Sequence, residues 1–317
     1  MRCLVTGAGG LVGTYLVETL LERKQEVIAL DFSPGPLLES MKGRVRLVRG
    51  DILDRAFLGQ VVRDERPDVI FHLAAQSFPS VAWEKPELTF QVNVMGTLNL
   101  FEEVRAQGGD PLVVVACSSG EYAVSPGGRP IAETDAMGPA SLYAVTKLTQ
   151  DHMARLYHEV KGLRVIRARP FFLIGPRKTG DVSSDFARGI VAVERGLRSD
   201  LPVGNLEVVR DLLDVRDGVD AFWTIAERGR VGDVYNICSG RGWSIREVLD
   251  RFKELAKVPV QTRVDPSRLR PIDELVKIGD PGKLMALGWA PKRPLSGTLR
   301  TSRNTGGGSR DALRCGV

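Results

Sequence analysis

"LVTGAGGLVGTYL", residues 4–16, is the stretch whose reading decides the fold. The chain enters it through "RCLVTG", apolar enough to be a strand buried on both faces, and leaves through an apolar-periodic run to residue 23 that reads as a helix. Gly7, Gly10 and Gly13 fall at the turn between them, where a backbone without side chains bends tightly and exposes its amides. The start of the following helix adds a partial positive charge at the same place. Strand, glycine turn and helix together suit a pyrophosphate. The spacing here is G-x-x-G-x-x-G, and the context carries more weight than the triplet.

Outward from that turn the first half keeps alternating. "EVIALD", "VRLV", "DVIFHLA", "LVVVACSS" and "LRVIRARP" read as buried strands, with helix-like segments between them. One of these segments carries a long apolar stripe at Phe90, Val94, Leu98, Phe101 and Val104. The pattern predicts an α/β fold, a doubly wound parallel sheet covered on both faces. After Pro170 the rhythm breaks at "RPFFLIGPRKTG", a Pro/Gly-rich loop, and resumes in "SSDFARGIVAVERG". A strand-like "VYNIC" follows, then a helix opening at "WSIREVL", where Ser244 and Glu247 have capping-box spacing. The expected organisation is a nucleotide-binding domain over 1–169 with a returning segment near 206–236. A smaller interleaved domain would occupy 170–205 and 237–300, and 301–317, with three consecutive glycines, reads as a disordered tail.

Composition narrows the class. The chain has 317 residues, 43% of them hydrophobic, and a net charge of +5. It is globular, and its cations are not clustered with aromatics as a nucleic-acid surface requires. No uncharged apolar run of about 18 residues suggests a membrane span, and the N-terminus does not read as a signal peptide, so a cytoplasmic location is expected. Cys3, Cys117 and Cys238 sit in apolar runs and no metal-ligand spacing occurs, so reduced thiols and no metal are expected.

The chemistry lies in two further places. Asp31 ends the second strand, 18 residues after Gly13, where a carboxylate can accept both ribose hydroxyls of an adenosine and would repel a 2′-phosphate. That favours NAD(H), with NADP(H) left open. Asp51 ends the third strand, where it either faces the adenine or caps the helix in "DILDRAFL". "SLYAVTKLTQ", residues 141–150, then puts Tyr143 and Lys147 on one helix face, and "VVVACSSGEY" delivers Ser118, Ser119 and Glu121 at a strand end. Hydroxyl, phenol and amine beside a dinucleotide make a hydride-transfer site. Tyr143 handles the proton of a substrate alcohol, Ser119 orients its oxygen, and Lys147 is expected to draw the phenol down from about 10 toward neutrality. His72, in a strand motif, is expected to pack.

At these residues the sequence resembles a known family. The glycine turn, "GDILD", "HLAAQS", "VNVMGT", "SSGE", "YAVTK" and "RPFFLIGP" are similar to the extended short-chain dehydrogenase/reductases acting on nucleotide sugars. "VGNLEVVRDLLDVRD", "VYNICSGRGWSIREVL" and "VDPSRLRPID" resemble the branch that reduces GDP-6-deoxy-4-keto-mannose to GDP-rhamnose. The resemblance implies a Rossmann-type domain, an NAD(P)H-dependent reduction of a GDP-linked keto sugar, and a homodimer paired through helices near 86–105 and 141–160. The alternative is a GDP-mannose 4,6-dehydratase, or another nucleotide-sugar epimerase or dehydratase with retained NAD.

By the same resemblance, Ser119, Tyr143, Lys147 and Glu121 are catalytic. Cofactor contacts fall on Gly7, Gly10, Leu11, Val12, Gly13, Asp31, Asp51, Ile52, Leu73, Ala74, Ala75, Asn93 and Pro170, together with Tyr143 and Lys147. Substrate contacts fall on Gln76, Ser119, Glu121, Phe172, Ser184, Asn205, Arg210 and Arg270. The chain departs from the pattern at Phe172 and Leu173, where relatives carry Asn and His, and after "PLSGTLR", where the expected C-terminal helix gives way to the glycine-rich tail.

Overall fold

In the computed structural model, residues 1–124, 126–269 and 274–306 are described. The chain begins β1 (Arg2–Thr6), α1 (Leu11–Glu22), β2 (Glu26–Asp31), α2 (Gly35–Ser40), β3 (Arg46–Arg49), α3 (Arg55–Glu65) and β4 (Val69–His72). A helical run follows as α4 (Pro79–Glu84), α5 (Pro86–Phe90), a π-turn over Gln91–Met95 and α6 (Gly96–Ala106). Next come β5 (Leu112–Ala116), α7 (Leu142–Lys161), β6 (Val165–Pro170), β7 (Phe172–Ile174) and α8 (Val182–Glu194). The remainder is β8 (Asp200–Val203), β9 (Val209–Asp214), α9 (Val215–Arg228), β10 (Val234–Ile237), β11 (Gly242–Ser244) and α10 (Ile245–Glu254). It closes with β12 (Gln261–Val264), β13 (Val276–Lys277), α11 (Gly282–Met285) and α12 (Leu295–Gly306).

Seven strands form one parallel sheet in the order β10-β6-β5-β4-β1-β2-β3. The chain works outward from β1 in one direction, then restarts at β4 on the other side. The carboxyl ends of β1 and β4 therefore flank the switch point where an open sheet binds its ligand. The strands are apolar on both faces because both are covered: Leu4, Ile28, Ile70 and Val113 join one buried cluster, Val5, Ala29, Phe71 and Val114 the other. Each such Leu or Ile buried is worth about 1.5–3 kcal/mol relative to exposure.

After β6 the chain leaves this sheet. β7 and β13 run parallel to β9 and β11 runs antiparallel to it, while β8 pairs with β12; β10 returns to the large sheet. A third cluster, with Phe186, Leu201, Trp243, Val248, Phe252 and Leu299, fills this second body. Its helices start where the sequence places caps. Asp181 and Ser184 form a capping box at α8, and Ser244 and Glu247 form one at α10.

The expected tail begins too early. Residues 301–306 continue α12, which packs Leu299, fully buried, against α8 and α10. Ser302 Oγ donates to Thr298 O at 2.9 Å, and Arg303 pairs with Glu194. The helix expected to be missing is present, and the weak periodicity of "SGTLRTSRNTG" hid it. Residues 307–317 lie outside the described residues. Among the described residues, no helix is long and apolar enough to cross a membrane.

Candidate active site

The glycine turn sits where β1 meets the end of β4. Gly7 adopts φ +70°, and a Cβ there would stand 2.7 Å from the amide nitrogen of Ala74. A Cβ on Gly13 would stand 2.2 Å from Gly7 O, so the helix can close on the turn only without side chains. No side chain caps the start of α1 and no acid occupies its first turn, which leaves the positive end of the helix, with Leu11 and Val12, to an anion. These features fit a dinucleotide's pyrophosphate. Asp31 closes the same turn, taking Gly9 N at 2.8 Å and Ser33 N at 2.7 Å. The Asp51 carboxylate accepts from Leu53 N at 2.9 Å. Asp54, through Phe57 N at 3.0 Å, is the cap of α3, which removes the capping alternative for Asp51. Ile52 is buried beneath Gly96.

A buried polar lattice fixes the lip after β4. Thr97 Oγ1 donates to Asn93 O at 2.7 Å, so it accepts from Gln150 Nε2 and from His72 Nε2 at 2.9 Å. His72 therefore carries its proton on Nε2, and Nδ1 accepts from the Thr6 hydroxyl at 2.8 Å. Burial, aided by the Lys147 charge, lowers His72 to about 3. It is a neutral strut and not a catalyst. Asn93 is fully buried: its Oδ1 takes Gln76 N at 2.7 Å, and its Nδ2 donates to Gln76 O at 3.0 Å and to Thr146 Oγ1 at 2.9 Å. Expected as a cofactor contact, Asn93 instead ties the loop of Leu73, Ala74, Ala75 and Gln76 to α7. The π-turn that contains it was not legible from the apolar stripe.

α7 begins one residue after Ser141, whose hydroxyl accepts from Ala144 N at 3.2 Å. Tyr143 and Lys147 then share a face, with Nζ 6.0 Å from the ring centroid. Lys147 Nζ donates to Ala116 O at 2.8 Å, and burial lowers it to about 8 against the opposing pull of Cys117 and Glu121. The phenol moves the other way from the expectation. Burial raises Tyr143 to about 12, with Glu121 and Cys117 adding to the rise, and only the nearby Ser118 side chain drawing it down. Lys147 points at the strand carbonyl and does not govern the phenol. Ser118, named at this strand end by the sequence but given no role there, is the hydroxyl that meets the phenol. Ser119, expected beside the phenol, is 4% exposed in the short turn Ser119–Glu121.

Glu121, expected as a catalytic and substrate-contacting group, is held inside a buried lattice. It is fully buried, with Oε1 accepting from Ser118 N at 2.7 Å and Oε2 lying 3.4 Å from Arg169 Nε. Burial and the neighbouring Asp151 push its carboxyl well above the ordinary range, with Arg169 opposing. Asp151 is itself clasped by Arg167 Nη1 at 3.0 Å and Arg169 Nε at 2.9 Å. Arg169 continues to Tyr122 Oη at 2.8 Å, and that hydroxyl donates to Asn236 Oδ1 at 2.7 Å. Cys117, Glu121 and Asp151 bring their ligand-type atoms within 4.8 Å, yet two guanidiniums already supply the positive charge there.

The remaining candidates sit on the second body. Arg210 is 7% exposed, stacks 5.3 Å over the Phe172 ring and donates through Nη1 to Glu274 O at 2.6 Å. Pro170, by contrast, ends β6 in the large sheet, paired with Ile237 of β10. Ser184 is spent on the α8 cap, donating to Asp181 O at 2.9 Å, and Asn205 Oδ1 accepts from Glu207 N at 3.0 Å. Both have local structural duties that their sequence context concealed. Arg270 lies outside the described residues.

Comparison with known proteins fits this geometry. A family model described as GDP-mannose 4,6 dehydratase matches residues 4–301. GDP-6-deoxy-D-mannose reductase of Pseudomonas aeruginosa is 33% identical over 303 residues, 94% of this chain and 95% of that protein. The structure of RMD from Pseudomonas aeruginosa complexed with NADPH superposes with a TM-score of 0.85 at 31% identity, over 96% of this chain and 98% of that one. The Thermus thermophilus UDP-glucose 4-epimerase complex with NAD superposes with a TM-score of 0.87 at 32% identity, over 98% and 100%.

Proposed function

The chain belongs to the GDP-mannose 4,6-dehydratase family and is an NAD(P)-dependent nucleotide-sugar enzyme of the extended short-chain dehydrogenase/reductase type, and we propose that it reduces the 4-keto group of a GDP-6-deoxy-4-keto-hexose to give GDP-rhamnose. The reduced nicotinamide, NADH by the placement of Asp31 or NADPH, supplies the hydride. Gly7, Gly10, Gly13 and the start of α1 hold the pyrophosphate, and Lys147 holds the adjoining ribose. Tyr143, kept protonated by burial, gives its proton to the carbonyl oxygen as the alcohol forms, with the Ser118–Ser119 hydroxyls orienting that oxygen. Arg210 faces the diphosphate.

One observation favours reduction over dehydration. A dehydratase needs an acid for the departing hydroxyl and a base for the neighbouring carbon. Here the motif's only carboxylate, Glu121, is buried against Ser118 N and Arg169, and Gly120 offers no side chain. The epimerase reading draws on the close superposition with the Thermus enzyme. The discriminating assay incubates purified protein with GDP-4-keto-6-deoxy-mannose and NADH or NADPH, and separately with GDP-mannose. Oxidation of added cofactor with formation of GDP-rhamnose supports the proposal; conversion of GDP-mannose by protein that retained NAD through purification overturns it.

The partner proposed is a second copy. Leu88 and Met95, seven residues apart, and Leu156 and Val160 on α7 are 42%, 46%, 47% and 69% exposed, on helical segments that pack together. Sedimentation of the full chain at micromolar concentration should show a dimer, and a monomer would refute it. A cytoplasmic location accords with such a substrate.

A further inference from the structure

A cleft of about 540 Å³ opens on the second body, between β9, the β11–α10 corner and the segment leading into α12. Trp243 forms part of its wall, with Arg241 3.8 Å and Arg251 4.3 Å from the ring centroid. Lys292 and Arg293 line the opposite segment, with Leu212, Leu213 and Ser239 beside them. None of these is a residue of the crevice described above.

The charge is what calls for a ligand. Among the described residues no carboxylate forms an ion pair with Arg241, Arg251 or Lys292, whereas Arg293 is answered by Asp217 and Asp220. Glu247, the acid at the start of α10, accepts from Ser244 N at 2.8 Å and Ser244 Oγ at 2.9 Å through Oε2, and its single charge acts on Arg251 and Arg241 without forming an ion pair with either, which leaves the cluster with net positive charge. Arg251 Nη1 donates to Glu247 O at 3.0 Å, which adds no counter-charge. Stacking on an indole orients a guanidinium without neutralising it and holds its donor edges ready for an anion. Cations from two separate segments of the chain, set around a small-molecule volume, suit two linked anionic groups better than one.

We propose that this cleft is a second anion site that takes a diphosphate group, free or carried by a nucleoside, outside the dinucleotide crevice. The inference does not depend on the reaction proposed above. The test titrates inorganic pyrophosphate, and separately GDP, into the full chain by calorimetry, with hydrogen exchange to locate protection. The comparison protein is the double variant Arg241→Gln/Lys292→Gln, whose changes are both at exposed positions, checked for an unchanged melting temperature. Saturable pyrophosphate binding that weakens at least tenfold in the double variant, with protection over 239–252 and 290–296, supports the site. Tighter protection of these segments by GDP than by pyrophosphate would assign the nucleoside form, and equal protection the free diphosphate. Absence of saturable pyrophosphate binding, unchanged affinity in the double variant, or protection confined to residues 7–13 or 209–211 overturns it.

Discussion

The two walls of the crevice are built on different principles. On the β1–α1 wall the binding we propose falls to the backbone, and the essential property of Gly7 and Gly13 is that nothing projects from them. On the β5–α7 wall the working groups are side chains, and a buried lattice of Thr6, His72, Asn93, Thr97, Gln150, Glu121 and Arg169 sets where they stand. The first wall fails when atoms are added, the second when atoms are removed. A wall made of backbone is also local in sequence, whereas a wall made of side chains is assembled from seven elements, from β1 to β6.

The sharpest break of the side-chain wall is Tyr143→Phe. It removes one oxygen and leaves the fold, so kcat should fall by at least a thousandfold while dinucleotide affinity stays within a few-fold. Near-normal turnover would remove the phenol from the chemistry. The matching break of the backbone wall is Gly13→Ala, which places a methyl 2.2 Å from Gly7 O and 2.7 Å from Ala8 Cα. Cofactor affinity measured by fluorescence titration should drop more than tenfold, with kcat at saturating cofactor less affected. An unaltered affinity would mean that the turn is not the pyrophosphate cradle.

Glu121→Gln sharpens the comparison, because it separates a residue that holds the wall from one that reacts. Gln still accepts from Ser118 N, so turnover should fall only several-fold; a thousandfold loss would return Glu121 to the chemistry. Stability adds an independent reading. A carboxyl raised in the folded state contributes stability that is fully present below its ordinary value and is lost as pH rises. Gln does not titrate, so parent and variant should melt together near pH 5, and the variant should gain on the parent as pH rises through neutrality. A constant gap across pH would show that Glu121 carries no raised carboxyl.

Legibility in the sequence follows the same division. The parallel sheet, the glycine turn and the Tyr143–Lys147 pair could be read because each rests on local spacing: short apolar runs alternating with period-3.6 patterns, a strand-turn-helix junction, an i,i+4 face. What escaped depends on contacts between distant segments. Asn93 and Glu121 carry the right side chains for contact with a ligand, but tertiary packing turned both inward, onto Gln76 and Arg169. The direction of the Tyr143 shift was missed because Lys147 is adjacent along the helix, while burial outweighs it and the Ala116 carbonyl claims the amine. The α12 continuation was missed because Leu299 gains its meaning only from α8 and α10.

The smallest expected effect tests the apolar patch that departs from the family pattern. Phe172 is half-buried on β7 and carries the Arg210 guanidinium 5.3 Å above its ring, while Arg210 Nη1 is fixed by Val209 O at 3.0 Å and Glu274 O at 2.6 Å. If that stack aims Arg210 at the diphosphate, Phe172→Asn gives up a cation–π contact of roughly 1 kcal/mol, which is about fivefold in affinity. The loss falls on substrate and transition state alike, since the diphosphate does not change during the reaction, so KM should rise about fivefold with kcat unchanged. A fall in KM would mean that Asn meets the sugar directly and that the phenyl ring blocks the site; a fall in kcat alone would place Phe172 beside the reacting carbon.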